Sequence, residues 1–486
     1  MQKALKVPSW RRYQEGLLVL CTIGIVGAFY FYNLDSWSIN DDEGSFLYQA
    51  WRISEGERPY ADFFTSRWPL FLYTGGVLIR LFGRSIWAMR VVCVLLTLAS
   101  AFLVFLLARR FLPAEGAWLA LIIFLLHPQI FFHGRLFFPE NFMIFFDILG
   151  LYLFDLGWNA RCGRVLAISS LCFGIATFYK PIGLLPFAGC LLWSLVDTWR
   201  RRTNWRLLLV QATVFLLCFG LLVGLSFLGT VCWEPAFYSS FVGANLPQEQ
   251  RPEWEQGVVN CASFLIGYIF KHFPLMIFVL PAAWANGQRN KRGALIAWQL
   301  PTALAFSILS RDLFLRHLFY LIPSFAILFA LALEPLRQWA GRTFLLVAVI
   351  CAVLLPWTIE NALLTMRTES DTDRLAKIVR SQVDEGACLL SDYQELNFHA
   401  ARQSTYLGAE ISQVVIENGK ITGERLIEEI EEYQVQMVIV DVSVETTPHF
   451  AVLADYERFH SYIQEEFELL GQFPRSKQLL EVYVRE

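Results

Sequence analysis

Three acids stand together at Asp41, Asp42 and Glu43, a few residues beyond the first apolar stretch. Carboxylates this close repel one another unless a cation, a proton or a reaction keeps them there. A further acid, Glu140, follows Pro139 in the segment HGRLFFPEN, a position that a helix N-terminus also favours through its dipole. Basic residues recur at Arg67, Arg135, Lys180, Lys271 and Arg316, and Tyr320 follows the last of these. Lys180 interrupts thirty-two apolar residues (165–196), and an ionisable group at membrane depth is a functional candidate by default. Lys271 has the same claim, although a lysine can also snorkel to the interface, and Arg316 is equally explained as a boundary anchor. Acids with convergent cations suit transfer of a group from a lipid phosphate. The cations hold the phosphate and stabilise the charge it gains on leaving. Because phosphate leaves readily, a carboxylate is needed mainly as a base on the acceptor hydroxyl.

Those residues need elements that bring them to one face of a membrane. Of 486 residues, 56% are apolar and only 17% charged, well below the charge of a soluble domain. Apolar runs near the ~20 residues that cross a bilayer fall at about 17–34, 86–108, 116–133, 139–157, 207–229, 258–285, 294–309, 317–333 and 343–360. Residues 165–196 have basic residues at both ends, which places both ends inside and makes the stretch a hairpin of two short helices with Lys180 at its tip. The segment 69–83 is short and holds Arg80. Lying in the interface, it leaves every later basic cluster on the inner side; spanning, it would put them outside. The pattern predicts eleven spans, an inner N-terminus and an outer tail, with Asp42 in a first outer loop (35–85) facing the membrane surface.

Charge divides the chain again near residue 360. Residues 1–360 carry a net charge of +9 and residues 361–486 a net charge of −12. The expected domains are a membrane body, 1–360, and a soluble extracytoplasmic α/β domain, 361–486. In the tail, periodic helices at 371–384, 423–433 and 452–466 alternate with apolar strands at 387–391 and 436–442, and 467–473 with 479–484 reads as a hairpin. The overall charge of −3 gives nucleic acid no footing. The ten cysteines show no CxxC and no His/Cys cluster at metal spacing, so neither a disulfide framework nor a zinc site is indicated. A divalent cation near Asp41, Asp42 and Glu140 is the one cofactor the acids could accommodate. No GxxxxGK[ST] or GxGxxG offers a seat to a nucleotide donor. The N-terminal segment lacks the small-residue cleavage pattern of a signal peptide.

The ordered motifs resemble the GT-C glycosyltransferases, in particular the branch holding the protein O-mannosyltransferases and the lipid A aminoarabinose transferases. They are Asp42-Glu43, Arg67 before Pro69 and an LFG-ended helix, Arg135 with Pro139-Glu140, YKPIG at 179–183, and Arg316-His317-x-x-Tyr320-x-x-Pro323. The resemblance covers residues 17 to about 335. It implies a polytopic helical membrane protein that uses a polyprenyl-phosphate sugar donor. It implies Asp42 as catalytic base with Glu140 assisting, and Arg67, Lys180 and Arg316 on the lipid phosphate. Asp41, Glu43, Arg135 and Tyr320 are carried as substrate-binding neighbours. The first cation is arginine where the family has lysine, and Asp41 leaves open which aspartate is the base. No WWDYG occurs, which separates the chain from the oligosaccharyltransferase branch. No N-x-[ST] occurs, which fits a bacterial plasma membrane.

The expected partners are thus the donor lipid, the bilayer and a glycan, lipid or protein acceptor. The rival class is a transporter or flippase with Lys180 and Lys271 on the pathway. It predicts broken helices in corresponding halves, and the breaks here do not correspond. A receptor whose tail is the working part gives no reason for charges in the membrane loops.

Overall fold

The computed structural model describes residues 9–35, 41–201, 205–242, 293–309, 315–337, 371–443, 448–475 and 478–485, with single positions at 259 and 263. The chain forms two compact units. One comprises Met1–Leu34, Arg90–Leu225 and Arg251–Leu364; the other comprises Asp35–Met89, Ser226–Gln250 and Thr365–Glu486. Composition divides the sequence near residue 360, whereas packing joins the first outer loop to the tail.

The first unit is a bundle of apolar helices. Among the described residues, five helices are long and apolar enough to cross a membrane: Tyr13–Phe31, Ile86–Ala108, Pro139–Ala160, Pro181–Trp199 and Leu208–Trp233. The protein is a multi-pass membrane protein. The stretch read as 116–133 is two helices, Ala114–Leu126 and Pro128–His133, because Pro128 cannot continue the first. The break expected at Lys180-Pro181 is present: the helix Gly163–Tyr179 stops at an extended Lys180, and a new helix runs Leu184–Arg201. Gly183 makes that turn tight, since a Cβ there would lie 2.7 Å from the Ala176 carbonyl carbon. Helices Pro139–Ala160 and Gly163–Tyr179 approach closely at Gly150, where a Cβ would strike the Phe173 ring at 2.8 Å. The Ser169 hydroxyl donates to the Gly150 carbonyl at 2.7 Å across the same contact. The runs at 258–285 and 343–360, and Lys271, lie outside the described residues.

The second unit is α/β. Strands β1 (Leu389–Ser391), β2 (Met437–Asp441), β3 (Glu468–Arg475) and β4 (Gln478–Val484) form one sheet in the order β1-β2-β4-β3. β1 and β2 are parallel, and β4 runs antiparallel to both β2 and β3, as the expected hairpin requires. Alternate residues of β2 serve two cores: Val438 and Val440 one, Met437 and Ile439 the other. The first of these cores also takes in Phe64 from the first outer loop, beside Leu407, Ile411 and Val415. That loop is not irregular. It carries a helix, Asp41–Ser54, followed by a second at Pro69–Phe82. The first is buried from Glu43 to Ile53 on every face. Two glycines permit this: a Cβ on Gly76 would sit 2.6 Å from Ile53, and one on Gly44 would sit 2.5 Å from Glu395.

Candidate active site

In the second unit the three clustered acids form the first turn of the helix Asp41–Ser54. Acids there face the positive end of the helix dipole, which offsets part of their mutual repulsion. A helix turns about 100° per residue, so neighbours diverge. Glu43 is fully buried, while the Asp42 side chain stays one-third exposed. Asp42 faces Arg67, its carboxylate 3.8 Å from a terminal guanidinium nitrogen. The Arg67 guanidinium lies 5.1 Å over the Phe46 ring and pairs through Nε with Glu410 at 3.1 Å. The backbone of Arg67 is held too: the Tyr60 hydroxyl donates to its carbonyl at 2.6 Å, and its N–H donates to Thr65 Oγ1 at 3.2 Å.

Glu410 is the residue that sequence reasoning passed over. It is buried, and it accepts hydrogen bonds from Ser66 N at 2.8 Å, Thr65 Oγ1 at 2.9 Å and Gln49 Nε2 at 3.3 Å. The Ser66 hydroxyl is a fourth donor. Around it, tail residues 403–409 are sewn to the outer loop. Ser404 N donates to the Tyr48 hydroxyl at 2.6 Å, Gln403 Nε2 to Glu57 at 2.8 Å, and Phe64 N to the Tyr406 carbonyl at 2.9 Å. The one signal in the sequence is an acid set inside the apolar stretch LGAEI.

In the first unit Glu140 and Lys180 form an ion pair, Nζ to Oε1 at 2.5 Å. Glu140 opens the helix Pro139–Ala160 and is buried; Lys180 closes the helix Gly163–Tyr179 and is one-fifth exposed. Each charge sits at the helix end whose dipole suits it. The Tyr179 ring stacks on Phe142 at 4.9 Å and on Phe146 at 5.9 Å, which fixes the chain just before the lysine.

The remaining candidates are placed as follows. Arg135 is buried, donates to the Tyr32 carbonyl and lies 5.3 Å over the Phe131 ring, so it ties its loop to the end of the first helix. Burial first, and then the neighbouring Arg90, push its pKa down to about 10. Tyr320 is buried at the end of the turn Leu315–Leu321, and its hydroxyl makes no hydrogen bond among the described residues. The backbone of Arg316 lies in the same turn; its side chain and that of Asp41 are outside the described residues. Among the described residues no group of three His, Cys, Asp or Glu side chains is arranged to hold a metal ion.

Residues 66–223 match the family described as dolichyl-phosphate-mannose-protein mannosyltransferase. The structure of ArnT from Cupriavidus metallidurans bound to undecaprenyl phosphate is similar, with a TM-score of 0.69 and 13% identity over 96% of this chain and 97% of that one. The fold is GT-C. The Archaeoglobus fulgidus oligosaccharyltransferase AglB, in complex with an inhibitory peptide and a dolichol-phosphate, gives a TM-score of 0.57 at 12% identity, covering 98% of this chain and 75% of that one. A protein of Aquifex aeolicus described as uncharacterised is 28% identical over 143 residues. That match takes in 26% of this chain and spans about a third of the relative's length, 33%. The family match, over about a third of the chain, and the fold agree with the resemblance to polyprenyl-phosphate-dependent GT-C enzymes.

Proposed function

We propose that this protein transfers a sugar from a polyprenyl-phosphate donor to an acceptor hydroxyl at the outer face of a bacterial plasma membrane. The observation that carries the reading is Asp42: a partly exposed carboxylate, 3.8 Å from an arginine that its own surroundings hold in place. Such a carboxylate can take the acceptor proton as the hydroxyl attacks the anomeric carbon. Attack opposite the leaving phosphate inverts the anomeric centre. Lys180, Arg67 and Arg316 are assigned to the lipid phosphate, and Glu140 to Lys180 as its counter-charge and as an assisting acid. ArnT, solved with undecaprenyl phosphate, and AglB, solved with a dolichol-phosphate, support a lipid-phosphate donor here. Transport is not favoured, because the family match and the fold both fall on transferases.

The charge pattern supports eleven spans with the N-terminus inside and the tail, as a soluble module, outside. Cysteine labelling in intact cells should modify a probe at Thr368 and spare one at Arg201. Loss of activity on chelation, restored by a divalent cation, would support the cation that Asp41, Asp42 and Glu140 could accommodate; activity unchanged by a chelator would remove it. Asp42→Asn keeps the shape and removes the base, so turnover should fall by about 10²–10⁴-fold with donor affinity nearly intact. Asp41→Asn should cost far less. Retained turnover in Asp42→Asn beside a dead Asp41→Asn would move the base to Asp41.

A further inference from the structure

Arg67 stands between two carboxylates of unequal exposure. Glu410 is buried, at 1% exposure, and four hydrogen-bond donors fix it; Asp42 is one-third exposed. The Nε contact to Glu410 at 3.1 Å is an ion pair without hydrogen-bond alignment, so Glu410 acts on the guanidinium through its charge. On the other side, 3.8 Å to Asp42 is beyond hydrogen-bond range. A guanidinium released from Glu410 would close on Asp42 in the fork-to-fork geometry that arginine and carboxylate prefer. An opposite charge within about 4–6 Å lowers a carboxylate's proton affinity by about 1–3 pH units, and a closed, hydrogen-bonded pair lies at the upper end of that effect.

We infer that Glu410 is a positioning residue for the transfer reaction: it shares Arg67 with Asp42, so that the arginine stays short of a closed hydrogen-bonded pair and leaves Asp42 basic enough to accept a proton. The inference rests on the reading of Asp42 as the base. It makes the C-terminal segment a participant in the chemistry through a single carboxylate. Among the described residues the charged groups facing Arg67 are Asp42, on the helix Asp41–Ser54, and Glu410, after the turn Leu407–Ala409; Phe46 offers only its ring face.

The test is the pH profile of turnover, measured with purified polyprenyl-phosphate sugar. In Glu410→Gln the amide oxygen can still accept from Ser66 N, while the charge is gone. The acid limb should move down by about one pH unit or more, and the plateau should fall by about tenfold as the base weakens. A merely structural role would lower the whole profile without moving its limb. Glu410→Asp keeps the charge but withdraws it by one methylene, so its limb should move the same way by less; it carries the test if the Gln variant does not fold. Superposable limbs for the parent and a folded variant overturn the inference. Asp42→Asn in the same assay separates the two claims. If it stays active, the reading of the base fails; if it is dead and the Glu410 variants leave the limb in place, only the role of Glu410 fails.

Discussion

The two units hold charge in different ways. In the helical body, Lys180 and Glu140 pair at two helix ends, one partner fully buried and the other partly so. In the loop-and-tail unit, Arg67 belongs to a network in which Gln49, Thr65, Ser66 and Glu410 fix one another. An ion pair between two helix ends depends on its partner, because removing one charge leaves the other without its counter-charge. A network spreads that dependence over many donors, and over segments far apart in the chain. The body is therefore expected to fail sharply at one residue, and the second unit to fail when its segments are separated.

Ending the chain after Met366 tests the second half of that contrast most severely. It removes Glu410, the sheet and the core around Phe64 together. Turnover should be lost and the outer loop should become open to protease. A truncated protein with a protease-resistant loop and measurable turnover would show that the loop stands without the tail.

In the body, Lys180→Met should cost about 3–5 kcal/mol of stability, since the buried Glu140 carboxylate loses its counter-charge. Adding Glu140→Gln should restore most of that stability but not donor binding, if Lys180 serves the lipid phosphate. Donor binding at the parental level in the double variant would make the pair a strut.

A smaller effect is expected at Tyr48, whose hydroxyl accepts from Ser404 N at 2.6 Å and from Arg52 at 2.8 Å. Tyr48→Phe strands the buried amide of Ser404 and should lower stability by about 1–3 kcal/mol. A loss no greater than that of a surface substitution would mean the network tolerates gaps, and would weaken the contrast drawn here.

The gentlest test uses pH. Burial pushes Asp392 up to about 7, against the pull of His449 and of N–H groups donated by Asp441 and Phe450; the nearby Asp441 carboxylate adds to the rise. The folded state thus prefers Asp392 protonated. The stability this gives is full below about pH 4, the unfolded value, and is lost as pH rises through about 7. Asp392→Asn should flatten melting temperature against pH across that window relative to the parent. Parallel curves would remove Asp392 from the pH response.

The helical body was largely legible because hydropathy and basic flanks are local signals. The break at Lys180, the helix opened by Glu140 and the short helix at Pro69–Phe82 all lie where the pattern put them. In the tail the four strands and three of the helices were readable from periodicity. The helix Asp41–Ser54 was not, because its polar stripe of Ser45, Gln49 and Arg52 suggests a water-facing side, whereas tertiary partners bury it. Asp42 and Arg67 could be named from their types and order. Glu410 could not: its partner is 343 positions away, and it is one of 23 acids in residues 361–486. No local rule ranks one acid above the others when the tertiary contact is what selects it.

The bond from Gln49 to the Ala409 carbonyl joins residues 360 positions apart. At a synthesis rate of about 5–20 residues per second, the outer loop waits roughly 20–70 s for the segment that completes it. Throughout that interval Asp42 and Arg67 are already made, while Glu410, the Ser404 amide and the Tyr406 carbonyl that fix the loop are not. A chain stalled before that segment emerges leaves the Tyr48 hydroxyl and the Phe64 amide without these partners, so the loop matures late although it is made early.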